Sequence, residues 1–306
     1  VRSVWRLTWS VARGEIVGAL VTTAALAIVA TVFVARLSAE LAAQCPGALP
    51  GVGECDLSGI VDLELVRQLV IVVGVVGLEV AAILGGQLVA REIEHGTAVF
   101  GWSNARSRTR WLAERSSTML LPVAVALVTL AAAGHQLTAV AEPGRDLGAS
   151  FAGYGFRGLG LVARGLAVFG LALLVGAVIG RVLPAVLVSS LLAAAVFALG
   201  ATTPFVVRPS EVIAPLGSPE IADALGSETA FLAADGRVLS LEEAYASAPP
   251  GVNADDWVWQ TYERVAVGIP GRRFADVELE TSLLLGGLGV GGWLLAAVVV
   301  GNRSPE

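Results

Sequence analysis

Long apolar runs alternate with short polar stretches along this chain, and that alternation predicts six helices of membrane-spanning length. The runs cover about residues 16–35, 68–89, 116–137, 158–180, 182–207 and 282–300. Each approaches or exceeds the ~20 residues needed to cross a hydrocarbon core. Inside such a core every backbone N–H and C=O must be satisfied within the chain, so helices are expected. Transmembrane strands would show period-two alternation in ~10-residue segments. The run from Ala24 to Ala30 shows none.

The polar stretches predict the rest of the organisation. In residues 1–14, Trp5 and Trp9 stand at i,i+4 and are flanked by Arg2, Arg6 and Arg13. That pattern suits an amphipathic helix lying in the headgroup layer. Residues 15–207 hold spans one to five, with a charged loop at 90–116. Residues 208–280 form the one sizeable polar piece, too small for a large core of its own and better described as a cap. It carries helix-start signals at Ser218 and at Ser240, where Glu243 completes a capping box. A helix is expected over 254–267, with Val258, Trp259, Tyr262, Val265 and Ala266 as its apolar stripe. Residues 281–306 hold span six and a tail. The fold expected is an all-α polytopic membrane protein.

Composition agrees: the 306 residues are 55% hydrophobic and 15% charged, against roughly 25% charged in soluble domains. All 20 basic residues are Arg. Their placement sets an orientation. With the N-terminus in the cytoplasm, the inner segments hold Arg2, Arg6, Arg13, Arg91, Arg106, Arg108, Arg110, Arg115, Arg181 and Arg303. Five acids accompany them (Glu15, Glu92, Glu94, Glu114 and Glu306), a net of +5; the remainder of the chain nets −11. Six spans return the C-terminus to the cytoplasm. The first span is longer than a signal-peptide core and lacks a small-residue cleavage site, so no cleavable signal is expected. Cys45 and Cys55 fall in the first outer loop, separated by turn-forming residues, where an oxidising compartment favours a local disulfide.

Several chemistries are not encoded. A chain without Lys has no Gly-x-x-x-x-Gly-Lys phosphate loop. His95 and His135 are the only histidines, and neither joins a cluster at metal-ligand spacing. There is no Gly-x-Ser-x-Gly elbow. The inner loop is mixed in sign and lacks an aromatic platform for nucleic acid. Neither an enzyme nor a cofactor is expected on this chain.

The charged loop carries the most information. Glu92-x-Glu94-x-Gly96-Thr97, then Ser103-x-x-Arg106-x-Arg108-x-x-Trp111, set between spans two and three, resembles the type-2 permeases of ATP-binding-cassette (ABC) exporters. In that family an acidic-x-acidic-x-Gly-Thr element precedes an arginine-bearing turn, and together they form the coupling helix. Trp5-Arg6-x-x-Trp9, the passage 176–185 and Arg273-Phe274 with Glu280-Thr281 are similar to actinobacterial members, so the resemblance covers nearly the whole chain. Ala275 and Val277 stand where aromatics are expected, and the 73-residue cap is longer than in minimal members.

The resemblance implies a permease subunit in a bacterial plasma membrane, paired with a second copy or a homologous permease. It implies two cytoplasmic ABC ATPase subunits as partners, which would hold ATP and Mg, and export of a hydrophobic or amphipathic cargo by alternating access. ATPase contact is implied for Arg91, Glu92, Glu94, Gly96, Thr97, Arg106, Arg108 and Arg110. Physically, Glu92 and Glu94 carry span two out of the membrane and Gly96 permits the positive-φ turn that ends a helix. The arginines dock on acidic rims of a partner or face anionic headgroups. The rival class is a polytopic sensor or assembly protein whose cap binds a ligand.

Two charged residues fall inside spans. Glu79 either lines a translocation path or is a neutral group bonded to a neighbouring helix. Arg164 either snorkels outward or pairs with Glu79. The pairs Gly176/Gly180 and Gly287/Gly291 have the spacing of close helix packing, and Pro184 and Pro204 offer flexible points in span five.

Overall fold

The computed structural model describes residues 2–44, 62–105 and 107–303, with side chains for 13–43, 64–102, 105 and 107–303. Cys45, Cys55 and Arg106, and with them the expected disulfide, lie outside the described residues.

Helices dominate. In chain order they are α1 (Arg2–Gln44), α2 (Asp62–Glu94), the short α3 (Thr97–Asn104), α4 (Arg108–Ala141), α5 (Gly158–Ile179) and α6 (Val182–Val207). After a polar segment comes the last, α9 (Phe274–Asn302). Among the described residues, six stretches are long and apolar enough to cross a membrane: Arg13–Ala43, Glu64–Glu94, Arg108–Ala141, Gly158–Ile179, Val182–Val207 and Gly271–Asn302. Each contains one of the apolar runs or all but its last residue. α1 is continuous, so residues 2–14 are not set off from span one by a break.

Contacts divide the chain into two compact units. The first comprises Val1–Gly144, Gly153–Thr202 and Leu279–Glu306. In it α2 runs along both α4 and α5, and α1 lies against α4. Leucines fill the seams: Leu84, Leu112, Leu127, Leu130, Leu161 and Leu173 are almost fully buried. Small residues set the closest crossings, as packing without a hydrophobic driving force requires. A Cβ on Gly176 would run into the Gly86 carbonyl, so one member of the first expected pair packs closely, whereas Gly180 ends α5 at φ 67°. The second pair is corrected. Gly287 and Gly291 face open space, whereas a Cβ on Gly289 would stand 2.7 Å from the Leu166 carbonyl oxygen. The face of α9 that meets α5 is therefore the one carrying Gly289 and Gly292.

The second unit, Arg145–Ala152 with Thr203–Glu278, corrects the all-α expectation. It contains strands β1 (Glu211–Pro215), β2 (Leu225–Leu232), β3 (Val238–Leu239) and β4 (Glu263–Ile269), with α7 (Leu241–Ala246) and α8 (Ala254–Thr261) between β3 and β4. The strands form one antiparallel sheet in the order β1-β4-β2-β3. The helix expected over 254–267 stops at Thr261. Tyr262 turns extended, and the following residues pair on one side with β1 (Val212 opposite Val267) and on the other with β2 (Ala230 opposite Val265). Val265, Val267 and Ile269 are β-branched and suit a strand flanked on both sides. Phe231, Ala244 and Val258 make one small core here, and Ile213, Ala214 and Ala266 another. The capping box at Ser240 and Glu243 forms as expected at the start of α7.

Candidate functional site

The turn between α2 and α4 is tied into the helical unit at several points. Gly96 has φ 69°, which lets the chain leave α2 and re-enter a helix at Thr97. Glu92 links three elements: one carboxylate oxygen meets Arg115 of α4 at 2.8 Å, and the other accepts from the Thr97 hydroxyl at 2.8 Å. The Arg115 and Glu92 side chains are 9% and 14% exposed. Glu94 accepts from the Val182 backbone N–H at 2.7 Å, capping the start of α6 with a carboxylate. Arg91 pairs with Glu15 of α1 at 2.5 Å.

The start of α4 is anchored in the same way. The Ser107 hydroxyl accepts from the Arg110 N–H at 3.1 Å as an N-cap. Arg108 donates to the Arg303 carbonyl at 2.5 Å, and Arg303 donates to the Ala177 carbonyl at 2.5 Å near the end of α5. Cations at helix C-termini satisfy orphan carbonyls and oppose the dipole. The residues expected to face a partner are thus largely engaged within the chain: Arg91, Glu92, Glu94, Thr97 and Arg108 hold helices together. Arg110 lies on the surface, 53% exposed, beside Glu114 at 2.9 Å.

Facing outward instead is an apolar edge of α3. Phe100 is 74% exposed and Val99 43%. Ala98 and Trp102 are buried on the inward side of the same helix, where Trp102 meets Trp111 edge-on at 6.1 Å and lies under the Arg108 guanidinium at 5.0 Å. Sequence reasoning missed Phe100. The available signal was the Ala98/Trp102 i,i+4 pair directly after Gly96, which turns Val99 and Phe100 away from the bundle.

The two charges at membrane depth do not meet. Arg164 is 4% exposed, so it does not snorkel. Its guanidinium donates to the Gly200 carbonyl at 2.7 Å and reaches the Gly155 carbonyl at 3.5 Å, and it lies over the Tyr154 ring at 5.5 Å. Gly200 lies four residues before Pro204, which has no N–H to give. Arg164 supplies the donor that proline removes. Glu79 accepts instead from the Ser190 hydroxyl of α6 at 2.7 Å.

An apolar cavity of about 490 Å³ lies among α4, α5 and α9, lined in part by Leu120, Leu166, Phe169, Val290 and Trp293. The Trp293 indole N–H donates to the Ser116 hydroxyl at 2.9 Å. Among the described residues no group of His, Cys, Asp and Glu is arranged to hold a metal ion.

A family model described as ABC-2 membrane transporter related matches residues 17–208, from the second turn of the first membrane-length stretch to one residue beyond α6. The sheet-containing segment after it and α9 lie outside the matched residues, so the resemblance expected over nearly the whole chain is carried by its first two thirds. No curated protein matches the chain, and no solved structure does. The match spans well over half of the chain and coincides with five of the six membrane-length helices among the described residues; this multi-pass membrane protein belongs to the ABC-2 membrane transporter-related family.

Proposed function

We propose that this chain is the permease subunit of an ATP-driven exporter, and that α3 is the coupling helix through which a separate cytoplasmic ATPase moves it. The observation that carries the reading is Phe100, 74% exposed on a short helix whose flanks are tied into the bundle by Glu92 with Arg115 and by Arg108 with the Arg303 carbonyl. A rigidly held, exposed aromatic is the kind of residue that dominates an interface. ATP and Mg bind to the partner, and this chain does no covalent chemistry. Two ATPase subunits act on two permeases, the second being another copy or a homologue.

The arginine excess supports a cytoplasmic side for α3 and both termini and an outer side for the sheet-containing cap. Closure of the ATPases pushes α3. The ties from Glu92, Glu94 and Arg91 reach α4, α6 and α1, so the push moves those helices with α2 as packed bodies. The cargo is hydrophobic or amphipathic, a reading supported by the apolar cavity among α4, α5 and α9.

Co-purification with the ATPase, followed by measurement of ATP turnover, tests this. Wild-type chain should bind the ATPase and raise its turnover. Phe100→Ser should weaken binding about thirtyfold, as expected for losing an aromatic anchor worth ~2 kcal/mol. Unchanged binding by that variant would refute α3 as the contact, and absence of any ATPase partner would refute the exporter.

A further inference from the structure

We infer that the open face between α2 and α6 recognises a cargo carrying a positive charge on an apolar body, with Glu79 as the group that meets the charge. This rests on the exporter reading and adds the class of cargo. Glu79 is the only charged residue between Arg67 and Arg91, twelve positions from each. It therefore stands about 18 Å from either nearest charge along the helix, at 1.5 Å per residue. A carboxyl group at that depth needs a proton, a cation or water.

The chain supplies little of this. Glu79 has one polar contact among the described residues, the Ser190 hydroxyl at 2.7 Å, and no arginine lies within ion-pair distance. Arg164, the other charge inside a span, is committed to the Gly200 and Gly155 carbonyls. Beside Ser190, the buried Ser189 hydroxyl has no hydrogen-bond partner. It stands where a Cβ on Gly86 of α2 would be 2.7 Å away. Polar capacity on this seam is thus unused at both Glu79 and Ser189.

The surroundings match the rest of such a cargo. Val75 and Ile83, one turn either side of Glu79 on the same face of α2, are 42% and 39% exposed. On α6, Leu187 and Leu191 flank Ser190 and are 57% and 71% exposed. Glu79 itself is partly exposed between these rows. A carboxylate set among open apolar side chains complements a lipophilic cation and leaves a neutral molecule of the same size with a charge unmet.

Binding of tetraphenylphosphonium and of uncharged triphenylphosphine oxide to the purified permease–ATPase complex in lipid nanodiscs tests the inference. Wild type should bind the cation at least tenfold more tightly than the neutral compound. Glu79→Gln should bring the ratio to about one, Glu79→Asp should keep most of it, and Ser190→Ala should lower it severalfold. Equal binding of the two compounds by wild type would overturn the inference, as would a ratio unchanged in Glu79→Gln. So would failure of wild type to bind the cation while ATP turnover remains coupled, a result that leaves the exporter reading standing.

Discussion

Arg164 and Glu79 are both ionisable and both placed at membrane depth, yet their surroundings use them differently. Arg164 is enclosed: backbone carbonyls from α6 and from the loop before α5 accept hydrogen bonds from its guanidinium, and an aromatic ring covers its face. Glu79 is half open and has a single hydroxyl. The first arrangement leaves nothing for a ligand and repairs a break made by Pro204. The second leaves capacity spare. Burial of a charge alone does not mark a transport site; what separates the two is how much of each group's hydrogen bonding the protein itself satisfies.

The largest effect on folding is expected where the group is enclosed. Arg164→Met strands the Gly200 carbonyl in an apolar setting, at a cost of about 3 kcal/mol for a buried unsatisfied group. It should show as a clear fall in thermal unfolding midpoint in detergent. Pro204→Ala restores the helical N–H, so the double variant should recover part of that loss. Simple additivity of the two would break the link drawn between them.

Glu79→Gln tests the opposite case. Gln still accepts from Ser190, so stability should change by less than about 1 kcal/mol while discrimination between charged and neutral cargo is lost. A stability loss as large as that of Arg164→Met would make Glu79 a structural group and erase the comparison.

The smallest effect belongs to a charge in water. Glu243 is held by the Ser240 N–H and hydroxyl at 2.8 and 2.9 Å, which keep its carboxyl below the usual value of 4.5. A depressed carboxylate adds stability above its unfolded pKa, and that contribution disappears as the pH falls through the folded value. Ser240→Ala should raise hydrogen exchange in α7 about fivefold at neutral pH, the equivalent of ~1 kcal/mol for a lost N-cap. The difference from wild type should shrink in acid, as the pH falls below the usual carboxylate value. A variant effect that persists unchanged in acid would contradict the capping account.

Much of this was legible from residue order. Each membrane-length run became a helix because an apolar core leaves the backbone no alternative, and the turn at Gly96 and the cap at Ser240 are local signals that local geometry honours. The sheet was not legible. β4 pairs with residues about fifty positions earlier in β1 and about forty in β2, and neither pairing leaves a trace in the periodicity of 254–267. The charged loop was legible, but the ties its residues make within the chain were not. Glu92 and Glu94 read as surface acids until Arg115 and the Val182 N–H, distant in sequence, are seen beside them. Phe100 was overlooked because an apolar residue in an apolar chain attracts no notice. Arg164 and Glu79 were legible as charges inside spans, but neither reading of Arg164, snorkelling or pairing with Glu79, holds, since a proline four residues after a carbonyl is a demand for a donor that residue order alone does not announce.

The central claim is that α3 faces the cytoplasm and receives the ATPase there. A cysteine at position 100, labelled with a membrane-impermeant maleimide and read by peptide mass, tests it most directly. The expected result is no labelling of Phe100→Cys in intact cells, rapid labelling in inverted vesicles stripped of the ATPase, and protection when the ATPase is restored. Labelling at position 100 in intact cells would contradict it.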